Sequence, residues 1–229
     1  MTITTTKLTR AAGLSAVAAG LLFVVIQFIH PHESLEAVTT TRWLVTHVLG
    51  VAMAVLALTG LTGLYLRQVK ETGVLGLVGF LLFGACWFVI LPFQFFEAFV
   101  APPLADQAPQ FVHGTLAIST GDTVVGDVGS LQAINTANFP LYLLGGVLFG
   151  IALYRARIVA RWAAVLLAFG TVLTVLIPVL PHSLARMTAV PVGLGLAGLG
   201  YSLWREQRTR THAFVPSLRD ARLDPAGAE

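Results

Sequence analysis

The chain has 229 residues, of which 56% are hydrophobic and 11% charged, with a formal net charge of +3; its mean hydropathy is +0.81 and its pI about 9.4. A soluble domain carries about 25% charged residues, so the composition excludes an ordinary water-soluble domain and points to an integral membrane protein built as one helical bundle. The single cysteine, Cys86, excludes a disulfide framework, and no basic stripe interleaves with aromatics to bind nucleic acid.

Six segments have the roughly 20 apolar residues that a spanning helix needs. In chain order they run about 8–29, 43–66, 74–100, 138–154, 162–180 and 187–204, so that 1–204 forms a single all-α bundle and 205–229 a polar tail. The first is followed by His30-Pro31-His32-Glu33 with no small-residue cleavage site, and reads as a retained helix rather than a removed signal. The longest connection, 101–137, carries Asp106, His113, Asp122 and Asp127 but no Lys or Arg. Within it 107–119 suits a short interfacial or re-entrant helix, and Gly121-Asp122-Thr123 and Gly126-Asp127 read as turns. Arg10–His32 can be laid over Arg161–His182, both ending in Pro-His, as a faint repeat of one orientation.

Charge gives the topology. Lys7, Arg10, Arg67, Lys70, Arg155, Arg157, Arg161, Arg205, Arg208, Arg210, Arg219 and Arg222 fall on one side of the bundle, and only Arg42 and Arg186 on the other. The imbalance places both termini of a multi-pass membrane protein in the cytoplasm. Five of the six histidines and six of the eleven acids lie on the opposite, outer side. Polar chemistry is therefore expected at the outer end.

Glu97 is the leading candidate there. It sits in Phe93-Gln94-Phe95-Phe96-Glu97-Ala98-Phe99, where apolar rings make a carboxylate costly and favour the neutral acid. Gln94 lies one turn earlier on the same face and is placed to orient it. Such an acid suits proton donation to a hydrocarbon; the structural alternative is an ion pair with Arg42 or Arg186. His47, Arg42 and Asp122 are candidates for orienting the acid, tuning it or taking the final proton. Trp43, Phe93, Phe96 and Tyr142, with Trp87 deeper, are candidates for a pocket wall whose ring faces stabilise cations. His30, His32 and His182 with Glu33, Glu36 and Asp122 offer donors for a metal, but no helix carries His-x-x-x-His or Glu-x-x-His, and no metal or cofactor is expected. A diphosphate-binding acidic cluster, a Walker loop and a nucleophile elbow are all missing.

Several stretches together carry a resemblance: Val38-Thr39-Thr40-Thr41-Arg42-Trp43 with His47; Gly63-Leu64-Tyr65-Leu66-Arg67-Gln68; Phe96-Glu97-Ala98-Phe99 leading to Pro103-Leu104-Ala105; and Pro181-His182-Ser183-Leu184 with Ala189-Val190-Pro191. The chain resembles, from Leu8 to Trp204, a family of small bacterial six-span membrane proteins that includes the drimentine-type membrane-bound terpene cyclases. That resemblance implies cyclisation of a farnesyl chain on an indole cyclodipeptide. The diphosphate is already gone, so an acid starts the reaction by protonating an alkene or epoxide. Two other readings stand beside it: a non-enzymatic membrane protein that binds lipid or terpenoid or stabilises a partner, and a metal-dependent membrane hydrolase.

Overall fold

The computed structural model describes residues 3–223, and their side chains except for Pro178, His182, Ser183 and those from 209 onward. The elements are α1 (Thr5–Ile29), α2 (Leu35–Val38), α3 (Thr41–Arg67), α4 (Val69–Phe95), a π turn (Phe96–Val100), α5 (Ala101–Gln107), α6 (Pro109–Thr120), α7 (Leu131–Ala156), α8 (Arg161–Leu173), a 3-10 turn (Thr174–Val179), α9 (His182–Met187) and α10 (Val190–Leu223). No strand occurs among the described residues. Side-chain oxygens mark three of the starts: Thr4, Ser34 and Thr40 accept from the backbone N–H of Lys7, Ala37 and Trp43, each meeting a donor that the first helical turn leaves unpaired.

The long helices close a ring in chain order. α1 packs on α3, α3 on α4, α4 on α7, α7 on α8, α8 on α10, and α10 returns to α1. Leu61, Phe83, Trp87, Phe149, Leu167 and Leu196 fill its core. One end carries a cap: α2, α5 and α6 gather Val38, Ala101, Ala105, Val112 and Leu116 around Trp43 of α3. α1 and α8, which hold the two stretches of the expected repeat, both flank α10.

Five helical stretches are long and apolar enough to cross a membrane: Thr5–Ile29, Thr41–Arg67, Val69–Gln107, Leu131–Ala156 and Leu184–Arg208. The segment expected at 162–180 is shorter, an apolar helix from Arg161 to Ile177. Its α-helix stops at Leu173, where Pro178 has no N–H to give the Thr174 carbonyl. The stretch from 101 to 137, expected as a loop, is mostly ordered into α5, α6 and the start of α7. α7 begins at Leu131, ahead of the expected 138, and α10 continues to Leu223. Gly73 breaks the start of α4 with φ 56° and ψ −150°, a conformation that a side chain disfavours.

Close helix approach rests on small residues, as it does where lipid removes the hydrophobic drive between helices. A Cβ added at Gly13 would stand 2.9 Å from the Gly200 carbonyl oxygen and 2.9 Å from the Trp204 nitrogen, so α1 and α10 touch backbone to backbone. At Gly84 a Cβ would meet nothing within 4 Å. We therefore expect Gly13→Val to lower stability by about 1–3 kcal/mol through overpacking. Gly84→Ala, replacing a helix-weakening glycine in open space, should be neutral or slightly stabilising. Thermal unfolding of both variants in detergent checks the pair; equal midpoints would contradict the seam.

Candidate functional site

Glu97 occupies the π turn, and the backbone there explains the site. Pro92 lies inside α4 one turn before its end. In the turn, the Ala101 N–H donates to the Phe96 carbonyl, five residues back, rather than to Glu97. In π register the Glu97 carbonyl would look to residue 102, which is proline and has no N–H. The Trp43 indole takes the vacant place: its Nε1–H donates to the Glu97 carbonyl at 2.7 Å. Trp43 is fully buried and enters α3 on the Thr40 cap. π turns inserted in α-helices recur at functional sites.

The Glu97 side chain is held by two other elements. The residue is 9% exposed. Ser119 Oγ, on α6, donates to Oε1 at 3.1 Å. On the other oxygen, Oε2 lies 3.1 Å from Nε2 of His47 on α3, though off the line of a good hydrogen bond. His47 is 1% exposed, and its Nδ1 lies 2.9 Å from the Trp43 carbonyl. A carbonyl only accepts, so Nδ1 carries a proton. A bare Nε2 facing a carboxylate would then repel it. The close approach calls for one proton on the pair, either on the carboxyl or on Nε2.

His30 packs edge to face on His47 and Trp43. Its ring centre lies 5.1 Å from that of His47 and 6.0 Å from that of Trp43. Its Nδ1 has Pro31 O at 2.7 Å and Arg186 Nη2 at 3.0 Å; the carbonyl needs a proton on Nδ1 and the guanidinium a lone pair, so Nδ1 serves one at a time. Arg186 also holds Glu33. Burial, and next the Arg186 charge, push the His30 imidazole down from 6.5 to about 4.

The expected site residues separate into two groups. Glu97, His47, Trp43 and Gln94 come together. A Cβ at Gly50 would collide with the Gln94 amide, so that side chain lies against α3 one turn from His47. Arg42 is exposed and donates from Nε to the Ile29 carbonyl at 2.8 Å; it ties α1 to α3 instead of orienting the acid. Asp122 is exposed in the turn after α6 and accepts from Thr120 at 2.6 Å, so Ser119, and not Asp122, is the residue of that segment that reaches Glu97. Trp87 and Tyr142 belong to the ring core with Phe83, at ring-centre distances of 6.0 and 5.7 Å.

The expected cage of phenylalanines does not form. Phe95 and Phe99 are 52% and 48% exposed and face outward; Phe96 turns to Phe111 on α6, and Phe93 is half-buried. Successive helical residues fan around the axis, so sequence neighbours of Glu97 need not surround its carboxyl. Among the described residues no group of three His, Cys, Asp or Glu side chains is arranged for a metal, and the His182 side chain lies outside the described set.

Sequence reading missed Ser119 and considered His30 as a possible metal donor. Ser119 has no local signal, since only the fold-back of α6 brings it to Glu97. Comparison with protein-family models, with curated proteins and with solved structures finds no match for this chain.

Two outcomes follow. Trp43→Phe keeps the ring but leaves the Glu97 carbonyl unpaired, and should cost about 1–3 kcal/mol; adding Pro102→Ala, which supplies an N–H, should recover part of it in detergent unfolding. For His30, the unfolded chain binds a proton below pH 6.5 while the folded chain resists until about 4. Stability should therefore fall as pH drops through that window, by at most roughly 1.4 kcal/mol per unit. His30→Asn should flatten that slope in a pH series.

Proposed function

We propose that this chain is a membrane-bound terpene cyclase that starts the cyclisation of a prenylated small molecule by protonating it, without diphosphate release. The substrate class is a farnesylated indole or cyclodipeptide-like compound. The observation that carries the reading is the Glu97 carboxyl: nearly buried at one end of an apolar helical ring, bounded by an imidazole and a hydroxyl, with Arg42 and Arg186 each engaged elsewhere.

In this reading Glu97 gives its proton either to a terminal alkene, whose π pair forms the new C–H bond, or to an epoxide, whose oxygen lone pair forms the new O–H bond while a C–O bond breaks to leave the cation. The cation passes through ring closures until a base removes a proton. His47 is the base nearest to the spent carboxylate and returns to it a proton released within the site, whereas a proton lost to water has to be replaced from outside. Trp43, Gln94, Phe93 and Phe96 lie around this end of the ring, while Trp87 and Tyr142 extend apolar aromatic surface towards its core. All six ring helices cross the bacterial inner membrane, with the termini in the cytoplasm and the cap outside, as the Lys and Arg asymmetry supports. A greasy substrate enters from the bilayer, whose lipid is the other partner. No metal or cofactor takes part.

A second reading has one observation in its favour. The contacts of Glu97 with Trp43, His47 and Ser119 also tie α3, α4 and α6 together, as a lipid-binding or partner-stabilising protein would need for its own rigidity. Glu97→Gln separates the two. For a cyclase, membranes holding the variant lose at least about 100-fold in product from a farnesylated cyclodipeptide while the protein stays folded in detergent. Undiminished product would remove Glu97 from the role, and loss of folding without any wild-type turnover would favour the structural knot.

A further inference from the structure

We propose that Ser119 is the hydroxyl through which protons reach Glu97 from water, a relay and positioning role that rests on reading Glu97 as the acid. Every cycle that ends with Glu97 ionised needs a route for recharging, and the two oxygens of this carboxyl face different worlds. Oε2 faces His47, which is 1% exposed. The Nδ1 of that ring is committed to the Trp43 carbonyl, and beyond it stands His30, whose Nδ1 is crowded by Pro31 and Arg186. That side returns a proton already in the site but offers no open path.

Oε1 faces Ser119, and Ser119 is exposed. It lies in the last turn of α6, which ends at Gly121 in the left-handed region, φ 80°. The exposed carboxylate of Asp122 follows, bonded to Thr120, and Asp127 caps the next turn by accepting from Gly129 N–H. A turn bearing two exposed carboxylates belongs in water, not in hydrocarbon. The Glu97 side chain is itself only 12% exposed, and Ser119 is the exposed hydroxyl that touches it. Its second acceptor, the Thr115 carbonyl at 3.5 Å, lets the O–H swing between its own helix and Glu97.

The step balances. A proton from water binds a lone pair of Ser119 Oγ. The O–H aimed at Glu97 breaks, its proton goes to Oε1, and the bonding pair stays on Oγ. Serine ends neutral and the carboxylate ends as the acid. The titratable and charged groups around Glu97 are His47 from α3 and, through it, His30 with Arg186 and Glu33; Asp122 lies beyond Ser119 on the cap.

The experiment follows the protonated-carboxyl band of Glu97 by time-resolved infrared difference spectroscopy of the full chain in liposomes after a pH drop, the band being assigned by its loss in Glu97→Gln. Ser119→Ala should slow the rise of the band at least about tenfold, and Ser119→Thr, which keeps the hydroxyl, should restore it. A wild-type rate in Ser119→Ala overturns the relay. So does the lack of any band that Glu97→Gln removes, because a carboxyl that never takes up a proton needs no route. Turnover of a farnesylated cyclodipeptide is read in parallel. Normal product from Glu97→Gln defeats the cyclase reading alone, whereas the band kinetics decide the relay.

Discussion

The carbonyl oxygen of Glu97 has no partner in its own helix, because the π turn carries the Ala101 N–H back to Phe96 and position 102 is proline. A buried, unpaired carbonyl costs free energy comparable to a lost hydrogen bond. The Trp43 indole removes that cost at 2.7 Å, and in doing so it fixes the rotation of α3 against the end of α4. With α3 so placed, His47, one turn after Trp43, comes to face the Glu97 carboxyl. The site is thus a consequence of a backbone irregularity, and its side-chain geometry is inherited from the main chain.

The same irregularity couples the ring to its cap. Trp43 lies within the cluster formed by α2, α5 and α6, and Ser119 reaches Glu97 from the far end of α6. Movement of α6 away from the ring would break the Ser119 contact and uncover Oε1, while leaving the Trp43 bond and the His47 approach intact. The cap and the Glu97 carboxyl are therefore joined through one hydroxyl.

Much of the ring was legible because apolar length is a strong signal. Segments about 8–29, 43–66 and 74–100 fall within a few residues of α1, α3 and α4 with its π turn. The fifth segment, about 162–180, is helical from Arg161 to Val179, and what hydropathy could not show is that it tightens into a 3-10 turn from Thr174. Glu97, His47 and Trp43 were legible as polar and aromatic outliers near helix ends. The surroundings of Glu97 were not. Sequence proximity suggested phenylalanines, but helical fan-out sends Phe95 and Phe99 outward. The true neighbours, Ser119 and Trp43, stand 22 and 54 residues away. Asp122 attracted attention as an acid in a Gly-Asp turn, and it serves that turn.

The ring does not need an acid in order to close. Backbone contact between Gly13 and Gly200, and the packing of Phe83, Trp87 and Phe149, join its helices without any charge. A buried ion pair is a poor source of stability, because desolvation offsets most of the attraction and apolar substitutes of the same volume are often as good or better. Arg67 and Glu206 differ: their paired contacts at 3.1 and 2.5 Å sit near the ends of α3 and of the apolar part of α10, where solvation lowers that cost. At Glu97 the carboxyl is kept in spite of its cost, with an imidazole on one oxygen and an exposed hydroxyl on the other. That combination, a carboxyl with an imidazole near one oxygen and an exposed hydroxyl on the other, is the arrangement on which the proposed proton transfer rests.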